Sequence, residues 1–162
     1  MNTESAYVVT SELTHVLREA FLGAAGPWTY FTDNRRGGGM LAVIEGITAE
    51  EASVPVGPKG TTIAGHVNHV RSSLAGSMIL MSHSNASRDR SGNWAVGTVS
   101  ESEWRRLQHD LRTQFENALK AIQAKMDWDE DALNAALGAI THAAYHLGAI
   151  RQRLLAAGLL RS

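Results

Sequence analysis

Cysteine is absent from this sequence of 162 residues, so several kinds of chemistry are excluded at once. A chain without thiols cannot form disulfide bonds, zinc–thiolate sites or a cysteine nucleophile. Any metal that it binds must therefore use nitrogen or oxygen ligands. A marked excess of one charge is also absent, because 15 basic and 16 acidic side chains leave a formal net charge of -1. We therefore expect no nucleic-acid partner.

Long hydrophobic runs are missing as well. No stretch reaches the ~18 consecutive apolar residues of a membrane span. The N-terminal segment "MNTESAYVVT" lacks the basic region and the apolar run of a signal peptide. These absences predict a soluble cytoplasmic protein with no membrane partner.

The apolar residues that are present recur at helical spacing in four segments, with almost no alternation typical of strands. The length suits a single domain over residues 1–162. We therefore predict an all-α fold, a four-helix up-and-down bundle with two long connections, of which the first could hold one or two short helices. The predicted helices lie near residues 5 to 23, 61 to 84, 101 to 126 and 129 to 157.

Capping residues support these boundaries. Thr61 or Thr62 is a candidate cap for the second long helix. Ser100 and Glu103 form an S-x-x-E capping box before the third. Gly158 is a natural stop for the last helix.

The last predicted helix has one face of large apolar residues and a neighbouring face of small residues. Its larger apolar residues share a broad face that we expect to fill the core, and His142 and His146 fall on a neighbouring stripe of small residues. The predicted core face comprises Leu133, Leu137, Ile140, Ala144, Leu147 and Leu154, and the small residues beside the histidines are Ala135, Ala139 and Ala149.

His142 and His146 are four residues apart, which stacks their rings one helical turn apart so that both can reach one ion. The alternative is that both are ordinary histidines hydrogen-bonded within the core. The second long helix offers a third ligand, either His66 or His69, and small residues flank His69 as they flank the other pair. Three imidazoles would leave at least one coordination position for water or substrate, as catalytic metal sites do.

Two segments, "TTIAGHVNHV" and "HAAYHLGAIRQ", together resemble the DinB-like (YfiT-like) family of bacterial metal-binding four-helix bundles. Helix order and loop lengths agree with that family over nearly the whole chain. Its motif T-I-x-x-x-x-N-H, read onto "TIAGHVNH", places the ligand at His69 rather than His66. Its motif H-x-x-x-H-x-G falls on His142, His146 and Gly148. Family members often have glutamine after that glycine, whereas this chain has Ala149.

The resemblance implies a metal-dependent transferase or hydrolase that acts on a small molecule, with a low-molecular-weight thiol as a candidate cofactor. A divalent cation would favour thiolate over thiol, or would lower the pKa of a water ligand toward ~7. Nickel, zinc and iron all suit imidazole ligands. Two alternatives stay open: a non-catalytic stress-response or ligand-binding bundle with a vestigial or regulatory metal site, and a structural bundle whose histidines bind no metal.

The remaining candidates have simpler explanations. Trp28, Tyr30 and Phe31 cluster after the first helix and predict a lid packed on the core. Arg88 and Arg90 in the second connection could meet an anionic substrate, although such pairs are usually solvated. Tyr145 points away from the histidine stripe and is given no catalytic role. The other histidines lack ligand spacing: His15, His83 and His109.

The alanine-rich faces and the amphipathic C-terminal run predict a homodimer, because small side chains let helices of two chains pack closely. Sedimentation velocity should show a species of twice the monomer mass at micromolar concentration. A monomer alone under these conditions would contradict the prediction.

Overall fold

A computed structural model describes residues 2–33, 37–56, 60–82, 94 and 96–159. Within these ranges the protein is helical, and its only strand-like pairing is an antiparallel bridge between Val56 and Thr61. No helix in the described ranges is long and apolar enough to span a bilayer. The helices are α1 (Thr3–Leu22), α2 (Met40–Glu45), α3 (Ala49–Ala52), α4 (Ile63–Ser82), α5 (Glu101–Ala124) and α6 (Glu130–Ala156).

The predicted all-α fold is confirmed. The four long predicted helices correspond to α1, α4, α5 and α6, and the two short helices α2 and α3 lie in the first connection as expected. Residues 83 and 84, which we assigned to the second long helix, lie outside the described residues.

The helix ends follow the predicted capping residues. The capping box of Ser100 and Glu103 is formed at the start of α5. The Thr62 hydroxyl accepts the backbone N–H of Gly65 at 3.0 Å, which caps the first turn of α4. Gly158 adopts a positive φ of 69° just after α6, a conformation that ends helices and favours glycine.

The direction of α5 differs from the up-and-down order that we predicted. Helix α6 runs antiparallel to α4, since His66 pairs with His146 and His69 with His142. The Thr62 hydroxyl donates to the carbonyl oxygen of Gly97 at 2.9 Å, so α5 begins beside the start of α4. Helices α4 and α5 therefore run parallel, and the up-and-down order is not confirmed.

In a parallel pair, the end of the first helix and the start of the second lie at opposite ends of the pair. Helix α4 has 20 residues and is therefore ~30 Å long. The chain between residues 82 and 101 has enough residues to cover that distance, at up to ~3.5 Å per residue. The spacing of apolar residues within each helix does not indicate whether neighbouring helices run parallel or antiparallel.

Helix α1 closes the bundle against α5 and α6. The rings of Phe21 and Phe115 stack with centroids 4.8 Å apart. Near the other end, the Thr10 hydroxyl donates to the Lys125 carbonyl oxygen at 2.7 Å and accepts from the Trp128 indole N–H at 2.9 Å. Helix α1 therefore runs antiparallel to α5, and this hydrogen-bonded threonine holds the turn into α6.

The buried face of α6 is richer in alanine than we predicted. Leu137, which we placed in the core, is 45% exposed, whereas Ile140, Leu147 and Leu154 are buried as expected. The predicted core face is wrong at Leu137 because α6 packs between α1 and α4, and small side chains let both neighbours approach. Four alanines are buried in its place: Ala132, Ala136, Ala139 and Ala143.

The first connection is anchored by one buried carboxylate. Glu19 of α1 accepts the backbone N–H groups of Tyr30, Phe31 and Thr32 at 2.8 to 3.0 Å, and it also accepts the Thr32 hydroxyl. Burial raises the pKa of Glu19, but the hydrogen bonds from these residues outweigh burial and leave the pKa below its usual value.

The aromatic side chains of this connection do not form the packed lid that we predicted. Trp28 is 87% exposed and Tyr30 is 65% exposed. The prediction is wrong because the backbone amides, rather than the rings, attach the segment to α1.

We expect Glu19→Gln to lower the free energy of unfolding by about 3 kcal/mol, because the amide cannot satisfy the same donors that a carboxylate does. Urea denaturation at neutral pH would measure the change. Glu12→Gln, an exposed substitution on the same helix, should change stability by less than about 0.5 kcal/mol. Equal stability of the two variants would contradict a stabilising role for the Glu19 carboxylate.

Candidate metal centre

Three histidine side chains meet between α4 and α6. The Nε2 atom of His142 lies 3.0 Å from Nε2 of His69 and 3.2 Å from Nε2 of His146. One ring nitrogen from each residue lies within 4.8 Å of the other two. These are the three residues predicted as metal ligands, and the structure brings them together.

The separations of the ring nitrogens suit a single ion. At Zn–N distances of 2.0 to 2.1 Å, two ligands at a tetrahedral angle lie about 3.3 Å apart. The two closest Nε2 separations here are 3.0 and 3.2 Å. All ligand atoms are imidazole nitrogens, a donor set that zinc, nickel and iron accept. The described residues can therefore hold a divalent ion.

Antiparallel pairing of α4 and α6 creates this cluster. His69 lies in the second turn of α4, opposite His142 and His146 on α6. The four-residue spacing of that pair puts both rings on one face of α6. The ring centroids of His142 and His146 are 4.5 Å apart. His146 is almost fully buried, whereas His69 and His142 are half-buried. Solvent therefore reaches the cluster from the side of His69 and His142.

His66, the alternative ligand on α4, lies behind His146 instead of in the cluster. Its Nδ1 is 2.8 Å from Nδ1 of His146, the ring nitrogen opposite the one in the cluster. The described group of candidate ligands does not include His66. The structure therefore agrees with the choice of His69.

Burial keeps the two inner rings neutral. Burial, together with the neighbouring His142, His66 and His69, lowers the pKa of His146 to about 3. Burial likewise lowers the pKa of His66 to about 4, assisted by Arg153 and His69. The candidate ligand group contains no carboxylate among the described residues. Neutral imidazole is the form that binds a metal.

Trp94, which the sequence analysis missed, covers one side of the cluster. Its ring stacks on His69 with centroids 4.2 Å apart and an interplanar angle of 20°, and it meets His66 edge to face at 5.3 Å. A tryptophan within the polar, turn-rich stretch "RSGNWAVG" was the available signal. Large apolar residues in such loops need a packing partner.

Gly65 allows the second connection to approach α4 closely. A Cβ atom at this position would lie 2.9 Å from the carbonyl oxygen of Val96. Gly65 is one of the small residues that flank His69, and small side chains beside a ligand can leave space for an ion. At Gly65 the space is instead filled by the backbone that follows Trp94.

Arg153 is a further residue that the sequence analysis missed. Its guanidinium donates to the carbonyl oxygen and to the hydroxyl of Thr61, each at 2.6 Å, and burial lowers its pKa. It therefore joins the end of α6 to Thr61, two residues before the start of α4, and adds positive charge near His66.

The other sequence candidates lie apart from the cluster. His15 packs edge to face against Tyr30, with ring centroids 6.2 Å apart, and His109 is exposed on α5. Tyr145 is the exception: its ring meets His146 edge to face with centroids 5.0 Å apart, closer to the histidines than we expected, although the residue is 71% exposed. The predictions for His83, Arg88 and Arg90 lie outside the described residues.

Comparison with models of known protein families, with curated proteins and with solved structures finds no match for this chain. The case for a metal centre therefore depends on the geometry of the three histidines.

We expect the metal-free protein to lose stability as the pH falls from about 6.5 to 5. Below the ordinary histidine pKa of ~6.5, the unfolded chain binds protons at residues 66 and 146. The folded chain does not, because their pKa values are about 4 and about 3. Stability from a lowered pKa is present above the unfolded value and is lost as the pH falls toward the folded value.

Urea midpoints measured across this range in the presence of a chelator would test the expectation. His146→Leu should show a smaller change with pH than the wild type, and His109→Leu should behave like the wild type. A wild-type midpoint that does not change from pH 6.5 to pH 5 would contradict it.

Proposed function

We propose that this chain binds one divalent metal ion through His69, His142 and His146. The observation that carries the proposal is the convergence of three Nε2 atoms, two of them 3.0 and 3.2 Å from the third. The ion is nickel, zinc or iron. Three nitrogen ligands leave an open position, the arrangement of a catalytic metal rather than a structural one.

We infer further that the protein is a DinB-like (YfiT-like) four-helix bundle and a metal-dependent transferase or hydrolase for a small molecule. The support is the pair of motifs together with an all-α chain that places both on facing helices. When bound, the ion would act as a Lewis acid toward a thiol sulfur or a water molecule.

The residues around the site favour an anionic ligand at the open position. All three ligands are neutral imidazoles, so they would leave the charge of a divalent ion uncompensated. The charged group that acts on the adjacent His66 is a cation, Arg153, which does not offset the charge of the ion. A thiolate supplied by a small thiol would neutralise part of this charge, and the chain has no thiol of its own. This favours a thiol-dependent reaction.

The burial of the ligands indicates the side from which a substrate approaches. His146 is buried behind His69 and His142, which are half-buried. Trp94 covers the outer face of His69 and is itself 47% exposed. A small molecule would enter beside the indole ring, which can contact its apolar part and exclude water.

Loss of any one ligand should abolish tight metal binding. We expect one ion per wild-type chain by elemental analysis, and a Kd weakened by more than about 100-fold in His69→Ala, His142→Ala and His146→Ala, since groups outside the ligand shell alone contribute about 10- to 100-fold. His109→Ala is the matched control. A metal content unchanged in all three variants would show that the ion binds elsewhere.

Metal binding should also stabilise the fold, because the unfolded chain does not hold the three rings together. An ion concentration of 100 times Kd raises the free energy of unfolding by about 2.7 kcal/mol. The rise in melting temperature should be absent in His146→Ala.

An enzyme and a non-catalytic binding protein differ in turnover. The metal-loaded protein should transform an electrophile in the presence of a small thiol, or hydrolyse an ester or amide, and His142→Ala should remove the activity. Stoichiometric thiol binding without turnover across such a screen would favour the non-catalytic alternative.

A further inference from the structure

The contact between His66 and His146 assigns a role to a histidine outside the ligand set. The two Nδ1 atoms are 2.8 Å apart, a distance at which one of them must carry the hydrogen and the other must accept it. Both rings are buried, at 6% and 3% exposure, so water does not compete for this bond. Which ring donates depends on the tautomers of the pair.

Binding of an ion at the cluster decides the direction of this hydrogen bond. The Nε2 atom of His146 faces His142 and must offer its lone pair to the ion. A neutral imidazole has one N–H group, so the hydrogen of His146 then lies on Nδ1. His146 therefore donates, and Nδ1 of His66 accepts.

We propose that His66 is a positioning residue that accepts the Nδ1–H of His146 and so holds the Nε2 lone pair of His146 toward the metal ion. The proposal rests on the proposed metal site. Ligand histidines commonly donate their second N–H to a carboxylate, a backbone carbonyl or water. Here a neutral imidazole takes that place, so the site gains an acceptor without gaining negative charge.

The other nitrogen of His66 is consistent with this assignment. Its Nε2 is buried and has no hydrogen-bond partner among the described residues. Leaving one buried nitrogen without a partner destabilises the fold, since the desolvation is not compensated. Packing alone would not call for a buried polar side chain here, whereas accepting the Nδ1–H of His146 requires an acceptor atom at this position.

The geometry allows a matched test of the acceptor. The side-chain oxygen of asparagine can occupy nearly the position of the histidine Nδ1 atom, whereas leucine fills similar space without an acceptor. Zinc affinity would be measured by competition with a chromogenic chelator for the wild type, His66→Asn, His66→Leu and the control His109→Leu. Circular dichroism and the melting temperature of each metal-free variant would establish that it is folded.

We expect His66→Leu to bind zinc about 10- to 100-fold more weakly than the wild type, and His66→Asn to bind nearly as tightly as the wild type. Nitrogen-15 NMR of the zinc-bound wild type should place the hydrogen of His146 on Nδ1. The tautomer is a readout that packing alone would not set.

Three results would overturn the proposal. Wild-type affinity in His66→Leu would show that the acceptor is dispensable, and equal weakening in both variants would show that ring shape matters instead. In both cases zinc binding by the wild type would leave the metal site itself intact. Failure of the wild type to bind zinc, nickel or iron would remove the metal site and this role together.

Discussion

The face-to-face pairing of α4 and α6 is the contact on which the candidate centre depends. It aligns residues 66 and 69 with residues 146 and 142 in antiparallel order, so four imidazoles meet in one layer. Burial of so many ring nitrogens is tolerable only while the inner rings stay neutral and bond to one another. The alanines of α6 allow this close approach, since larger side chains would separate the helices.

The parallel arrangement of α4 and α5 also affects what covers the four imidazoles. The residues just before α5 lie beside the start of α4, where the Thr62 hydroxyl donates to the Gly97 carbonyl oxygen and where Gly65 leaves room for the backbone of Val96. This anchorage brings Trp94 onto His69. The direction of one helix thus determines which residues surround the ligands, although none of its own side chains belongs to the cluster.

Local features of the fold could be predicted because they depend on neighbours in the sequence. Helical periodicity, the Ser100 capping box and the four-residue spacing of His142 and His146 are of this kind. Helix direction, the stacking of Trp94 and the backbone cradle around Glu19 depend on contacts between distant segments. Leu137 illustrates the limit: hydrophobicity placed it in the core, but the neighbours of α6 left it 45% exposed.

The spacing of the ligands along the chain has a consequence for biosynthesis. A ribosome delivers His69 long before His142 and His146, and chains fold progressively from the N-terminal end during synthesis. Until α6 emerges, α4 lacks the helix that completes the site, and no partial set of ligands can hold an ion firmly. The proposed metal site would therefore form only after translation of α6, and a nascent chain without α6 would not compete for scarce metal with proteins that are already complete.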